Sequence, residues 1–205
     1  MKFYFSSFEI GDEPEKLKRL FTDNVQAVYI ANAMDRYGDN ERTRERKEKD
    51  MQSLRDLGLY VELLDLREYF GKREALSKKI SSVGVIWVSG GNTFDLRIAM
   101  HLSGFDEILK GLGDRNIIYG GYSAGVCVLS QHLKGYDGTD SPSANPYGQE
   151  TIWDGVGLID WMFVPHFESD HEESEAATNE VAYYKKYGLA FKTLRDGEVI
   201  VMNDF

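Results

Sequence analysis

The sequence holds one cysteine, Cys127, among 205 residues. That excludes an internal disulfide and any zinc site built from several thiolates, and it suits a reducing compartment. Long apolar runs are also missing. No stretch approaches the about 18 apolar residues of a membrane-crossing helix. The opening MKFYFSSFEIGDEPEK is too short and too broken in its apolar part for a signal peptide. A cytoplasmic location is expected. Positive charge is scarce: 24 Lys and Arg against 34 Asp and Glu leave a formal net charge of −10. Such a surface repels phosphate backbones and anionic bilayers, so neither nucleic acid nor a membrane is an expected partner.

What is present suits one globular domain over residues 1–205. Hydrophobic residues make up 42%, and the length supports one full core but is short for two. No internal repeat or domain boundary is visible. Short apolar runs alternate with longer amphipathic ones. KFYFSS, QAVYIANA, YVELLDL, VGVIWVSGG and NIIYGGY read as strands. EPEKLKRLFTD, DNERTRERKEKDMQSLRDLG, EALSKKISS, NTFDLRIAMHL with FDEILKGLGD, and AGVCVLSQ read as the helices between and after them. Continuously apolar strands separated by helices predict an open, doubly wound α/β sheet, mostly parallel, with helices on both faces. KGYDGTDSPSANPYGQE predicts a long loop, WMFVPHFES a further strand, DHEESEAATNEVAYYKKYG an acidic helix, and LAFKTLRDGEVIVMNDF a C-terminal hairpin turning at RDGE. The charged run NERTRERKEKD reads as a solvated helix face, with mixed signs at three- and four-residue spacing.

Gly121–Gly125, GYSAG, has the G-x-S-x-G spacing of a nucleophile elbow, and it falls between an apolar strand and an apolar helix. Small residues two before and two after the serine are needed where the turn packs against its neighbours. The arrangement lifts Ser123 to the carboxyl end of the sheet, where ligands of open α/β folds bind. The helix starting there offers its positive end, and the N–H of Ala124 can hold an oxyanion. The plain alternative is a Gly-rich turn that needs small residues only for packing. SGGNTF, Ser89–Phe94, closes the preceding strand. Gly91 is the expected second oxyanion donor, Asn92 and Thr93 are the expected substrate contacts, and Asn92 or Thr93 can equally serve as a helix N-cap. A phosphate-binding loop would need Lys after Gly125, which Val126 replaces, and FSSFEIGDE lacks the dinucleotide fingerprint after the first strand, so no cofactor is expected.

A serine hydroxyl needs a base. His166, after Pro165 at a strand end and after the nucleophile in the chain, fits best. His101, His132 and His171 read as surface residues. His166, Glu168 and His171 could instead form a metal cluster, but no further ligand group stands elsewhere, so no metal is expected. Candidates to orient the imidazole are Asp196 in the last turn, Asp140 in the long loop, and the nearby Glu168 and Asp170. Cys127 reads as core filling.

GGNTF, GYSAG and VPHF, in this order and at these distances, resemble the peptidase E family of serine peptidases, which includes cyanophycinases. The resemblance runs from the first strand to about residue 200. It implies a doubly wound α/β fold related to class I glutamine amidotransferases. It implies Ser123 as nucleophile, His166 as base, and Gly91 with Ala124 as the oxyanion hole. For the third member it implies Asp140 or Asp196, of which Asp196 is favoured because a turn between paired strands holds a side chain better than a Gly/Ser loop. The implied activity is hydrolysis of small peptides, in the manner of an aspartyl dipeptidase. A catalytically silent binding or regulatory domain of the same fold is the alternative. The expected partners are a small peptide substrate and, at most, a second copy of the chain in a homodimer. Two stretches depart from the family: VCVL follows the elbow where Ala-Asn is common, and ESDHEESEAATNE follows His166 where peptidase E carries arginines suited to an N-terminal aspartate. A substrate carboxylate would meet repulsion there unless Arg97 or Lys134 intrudes.

Overall fold

The computed structural model describes residues 1–113 and 115–202. Its main sheet has six strands in the order β3-β2-β4-β5-β1-β8: β1 Lys2–Ser6, β2 Gln26–Ile30, β3 Tyr60–Leu63, β4 Val85–Val88, β5 Ile118–Tyr122 and β8 Val199–Met202. The first five are mutually parallel, and only β8 runs antiparallel, on β1. Period-2 alternation along these strands feeds two cores. Phe3, Phe5, Val28, Ile30, Ile86, Val88 and Tyr119 face one layer; Tyr4, Ala27, Tyr29, Val85, Trp87 and Ile118 face the other. Helices α3 Arg73–Ile80, α4 Thr93–Ser103 and α5 Phe105–Gly111 cover the first face. Helices α1 Pro14–Lys18 and α2 Glu41–Asp56 cover the second through Leu17 and Leu54. The doubly wound, mostly parallel sheet expected from the apolar strands is the one found. No helix among the described residues is long and apolar enough to cross a membrane.

Register places the functional end. Val88 of β4 lies opposite Gly121 of β5, and Ser6 of β1 opposite Tyr122. The three strands therefore end level, and Ser89–Gly91, Ser123 and Ser7–Phe8 leave the sheet side by side.

Three expectations fail, each for a tertiary reason. The C-terminal hairpin does not form. β7, Phe191–Thr193, pairs in parallel with β6, Met162–Val164, in a separate two-stranded sheet, while β8 joins β1. RDGE thus connects strands of two sheets. The helix after the elbow, α6, is a single turn, Ala124–Cys127. The carbonyls of Val128, Leu129 and Ser130 accept instead from Val156, Leu158 and Gly157. The charged α2 is not a wholly solvated face. Thr43 and Asp50 are buried, and Asp50 Oδ2 accepts 2.7 Å hydrogen bonds from the hydroxyls of Tyr29 and Tyr122. Arg46 lies over the Phe8 ring, 4.7 Å from its centroid, and pairs with Asp50 and Glu9.

The expected long loop, residues 134–150, is irregular apart from a 3-10 turn at Tyr136–Gly138, and the irregular stretch runs on to residue 161 past a bridge between His132 and Asp154. It folds back over α4. The Ser141 carbonyl accepts from Arg36 and Asn92, and the Tyr147 hydroxyl donates to Asp35 at 2.6 Å. Helix α7, Ser174–Tyr187, matches the acidic helical stretch.

Candidate active site

Ser123 follows β5 with φ 48° and ψ −120°, a sparsely populated conformation whose strain of about 1–3 kcal/mol the surroundings must hold. Those surroundings explain the glycines. A Cβ on Gly121 would sit 2.7 Å from the Val88 carbonyl, and one on Gly125 would collide with the same oxygen. Only with hydrogen at both positions can the elbow close against β4. The carbonyl of Ser123 accepts from Val126 and Cys127, and its N–H lies 3.4 Å from the Ser6 carbonyl. The side chain is half-buried, and its hydroxyl takes part in no hydrogen bond among the described residues.

Gly91 has φ 135°, and a side chain there would collide with the Ala33 carbonyl, so this position also needs glycine. Neither its N–H nor that of Ala124 meets a protein acceptor among the described residues. Both remain available to an oxyanion. Asn92 and Thr93 do not extend the site. Each is 1% exposed. Asn92 Oδ1 caps α4 by accepting from the N–H groups of Phe94 and Asp95, Asn92 Nδ2 donates to the Ser141 carbonyl, and the Thr93 N–H donates to Asp140 Oδ2 at 2.8 Å. Of the two readings of this motif, the helix entry accounts for these side chains.

β6 stops at Val164 because Pro165 has no N–H to donate and His166 turns into a left-handed conformation, φ 58°. The imidazole that results is buried, 2% exposed. Its Nδ1 is 2.7 Å from Asp196 Oδ1. The Ser7 hydroxyl completes the arrangement: it accepts from His166 N at 2.8 Å and donates to Asp196 Oδ1 at 2.7 Å. Asp196 is fixed from behind by its own N–H, which donates to Ser169 Oγ at 2.8 Å. With Nδ1–H held by a carboxylate, the neutral ring carries its lone pair on Nε2. Burial, helped by the neighbouring His171, holds the imidazole below its ordinary pKa despite Asp196, so the ring is neutral near pH 7.

The other candidate acids stand apart from the ring's Nδ1. Asp140 caps α4 through Thr93, and withdrawal from water pushes its carboxyl up to about 6. Glu168 pairs with Arg195. Of the two cations considered for a substrate carboxylate, Arg97 is buried and committed to Asp106 and the Asp154 carbonyl. Lys134 instead lines an open groove with Asp137, Trp153 and Tyr183. Cys127 fills the core, as expected, 3% exposed.

Two residues at the ring were not legible from the sequence. His171 is not a free surface residue: its ring stacks on that of His166, centroids 3.7 Å apart and planes 8° apart. Glu173 Oε2 lies 3.6 Å from His166 Nε2. His166, His171 and Glu173 bring three ligand-type atoms within 4.8 Å of one another. This differs from the cluster that spacing suggested, since Glu168 is absent from it. The set fits a metal poorly. Parallel stacked rings direct their lone pairs side by side instead of toward one point, and His171 Nδ1 already accepts from Glu173 N at 3.1 Å.

The comparisons with known proteins bear on the family and the fold. The uncharacterized peptidase Lin0382 of Listeria innocua is 28% identical over 122 residues, 60% of this chain and 56% of that protein. The uncharacterized peptidase Lmo0363 of Listeria monocytogenes is 29% identical over 123 residues, 60% and 58% respectively. The matched region thus spans a little over half the length of these relatives. Among solved structures, a protein of Listeria monocytogenes provisionally named peptidase E superposes with a TM-score of 0.77 at 22% identity, covering 98% of this chain and 93% of that one. A peptidase from an acI-B1 actinobacterium superposes with a TM-score of 0.69 at 15% identity, covering 98% and 83%. At such identities these two show the fold. The family model for peptidase family S51 matches residues 12–204, nearly the whole sequence, and the chain belongs to that family.

Proposed function

We propose that the protein is a serine peptidase that hydrolyses small peptides through an acyl-enzyme on Ser123. In this reading His166 Nε2 takes the Ser123 proton as Oγ attacks the scissile carbonyl, and the N–H groups of Gly91 and Ala124 receive the developing oxyanion. The same imidazole returns the proton to the leaving amine, which departs as the acyl-enzyme forms. It then activates the water that releases the acyl group. Asp196 orients the ring and stabilises its protonated form. The observation that carries the reading is the 2.7 Å Asp196–His166 contact, tied to Ser7 at the end of β1, the end at which Ser123 leaves β5 with φ 48° and the amides of Gly91 and Ala124 are unused.

A fluorophosphonate probe tests it. The folded protein is expected to be labelled at Ser123. Ser123→Ala should lose labelling and lower turnover of aminoacyl amides by at least ~10³-fold, with the melting temperature kept. A silent binding domain is the second reading. It draws on the unbonded Ser123 hydroxyl and on His166 Nε2 facing Glu173. Catalytic hydrogen bonds are often long before substrate binds. A folded protein that resists the probe would select this second reading.

A further inference from the structure

Glu173 is the carboxylate that faces Nε2 of the His166 ring, and the proposed mechanism does not use it. Its carboxylate is half-buried, and among the described residues the one basic group within ion-pair distance is His166, whose ring is neutral near pH 7. Arg46 is committed to Asp50 and Glu9, Arg195 to Glu168, and Arg36 to Asp95 in a two-pronged pair. The fields acting on Glu173 are those of Asp140, Glu172 and Asp196, all negative. Resting on the serine-peptidase reading, we propose that Glu173 is a specificity residue that receives a positively charged group of the substrate residue whose carbonyl is attacked.

Reach decides which group this is. A carboxylate 3.6 Å from the base's Nε2 can touch only what lies within about one residue of the scissile bond. On the acyl side of a peptide, the positive groups within that span are a free α-ammonium and a lysine or arginine side chain. The shared chemistry is a cation that can donate hydrogen bonds to a carboxylate. Loss of water and the surrounding carboxylates push the Glu173 carboxyl up to about 7. A bound cation supplies the missing countercharge and draws the proton off. An acidic side chain in the same place would meet Glu173 and its acidic neighbours instead, so this chain should reject the N-terminal aspartate that peptidase E is suited to take.

The test uses four p-nitroanilides, those of lysine and norleucine, each with a free or an acetylated α-amine, together with fluorophosphonate labelling of Ser123. For the wild type, kcat/KM should be at least about 10-fold higher with the cation than without it. A dependence on acetylation identifies the α-ammonium, and a dependence on lysine against norleucine identifies the side chain. Glu173→Gln should bring that ratio close to one, chiefly through KM, and Glu173→Lys should invert it, so that the uncharged substrates are cleaved faster. If the anilides prove too slow to follow, lysinamide should protect Ser123 from the probe in the wild type and not in Glu173→Gln. Labelling or hydrolysis that is blind to substrate charge, or discrimination that survives in both folded variants, overturns the role of Glu173 and leaves the serine-peptidase reading standing. Failure of the probe to label Ser123 at all overturns both.

Discussion

Asp196 Oδ1 lies 2.7 Å from His166 Nδ1 because the two residues follow a pair of parallel strands, Val164 in register with Thr193, that run out at the same end. Asp196 and His166 are therefore delivered together by β6 and β7, and the hydroxyl of Ser7, just past β1, ties them to the main sheet. Each link in that chain can be tested separately.

Asp196→Asn should lower turnover and the rate of probe labelling by on the order of 10³- to 10⁴-fold. An amide can donate to Nδ1 and so stabilise the wrong tautomer. Asp140→Asn should behave differently. Its effect falls on the α4 cap through Thr93, costing about 1 kcal/mol of stability, with labelling within about 10-fold of wild type. Equal losses from the two variants would count against Asp196 as the orienting acid.

Ser7→Ala leaves the buried His166 N–H without an acceptor and removes a donor from Asp196. The unsatisfied amide should cost about 1–3 kcal/mol, read as a lower denaturation midpoint, with a fall in kcat at unchanged KM because the base is held less firmly.

Labelling should be pH-dependent with a definite sign. The reactive form of His166 is neutral, and the site holds its pKa below 6.5. The rate should be flat near neutrality and fall as pH drops through a midpoint below 6.5. Removing the neighbouring imidazole in His171→Gln should raise that midpoint, so the variant loses activity earlier on acidification.

Glu180 is 4% exposed, accepts from Thr139 Oγ1, and is pushed up to about 8 by burial. A carboxyl that holds its proton more tightly when folded contributes stability that is present at pH 4 and lost as pH rises toward 8, because the unfolded chain then binds fewer protons. Wild-type stability should decline against that of Glu180→Gln between about pH 5 and 8, as followed by melting temperature. A constant difference across that range would contradict it.

Strands β1, β2, β4 and β5 were readable because each is buried on both faces and so shows as an apolar run bounded by polar helix, while the edge strand β3 is largely exposed. The tight turn at Ser123 was readable because Gly121 and Gly125 must clear the Val88 carbonyl, which constrains residue type at two positions within a pentapeptide. The hairpin was misjudged because RDGE has the composition of a tight turn whichever strands it joins. Arg46 and Asp50 were hidden in a charged run. The Tyr29 and Tyr122 hydroxyls that bury Asp50 come from residues 21 and 72 positions away.

The sequence by itself determined the α/β layering, the place of Ser123 just past a strand end, and that of His166 just past another, since these follow from local periodicity and from residues constrained within a few positions. Only the tertiary structure decided which acid meets the imidazole, that Ser7 binds both, and that Glu173 faces Nε2 uncompensated. Those contacts join segments 30 residues apart or more, apart from Glu173, whose approach depends on the left-handed turn at His166. Pairing between distant strands, not local propensity, sets such distances.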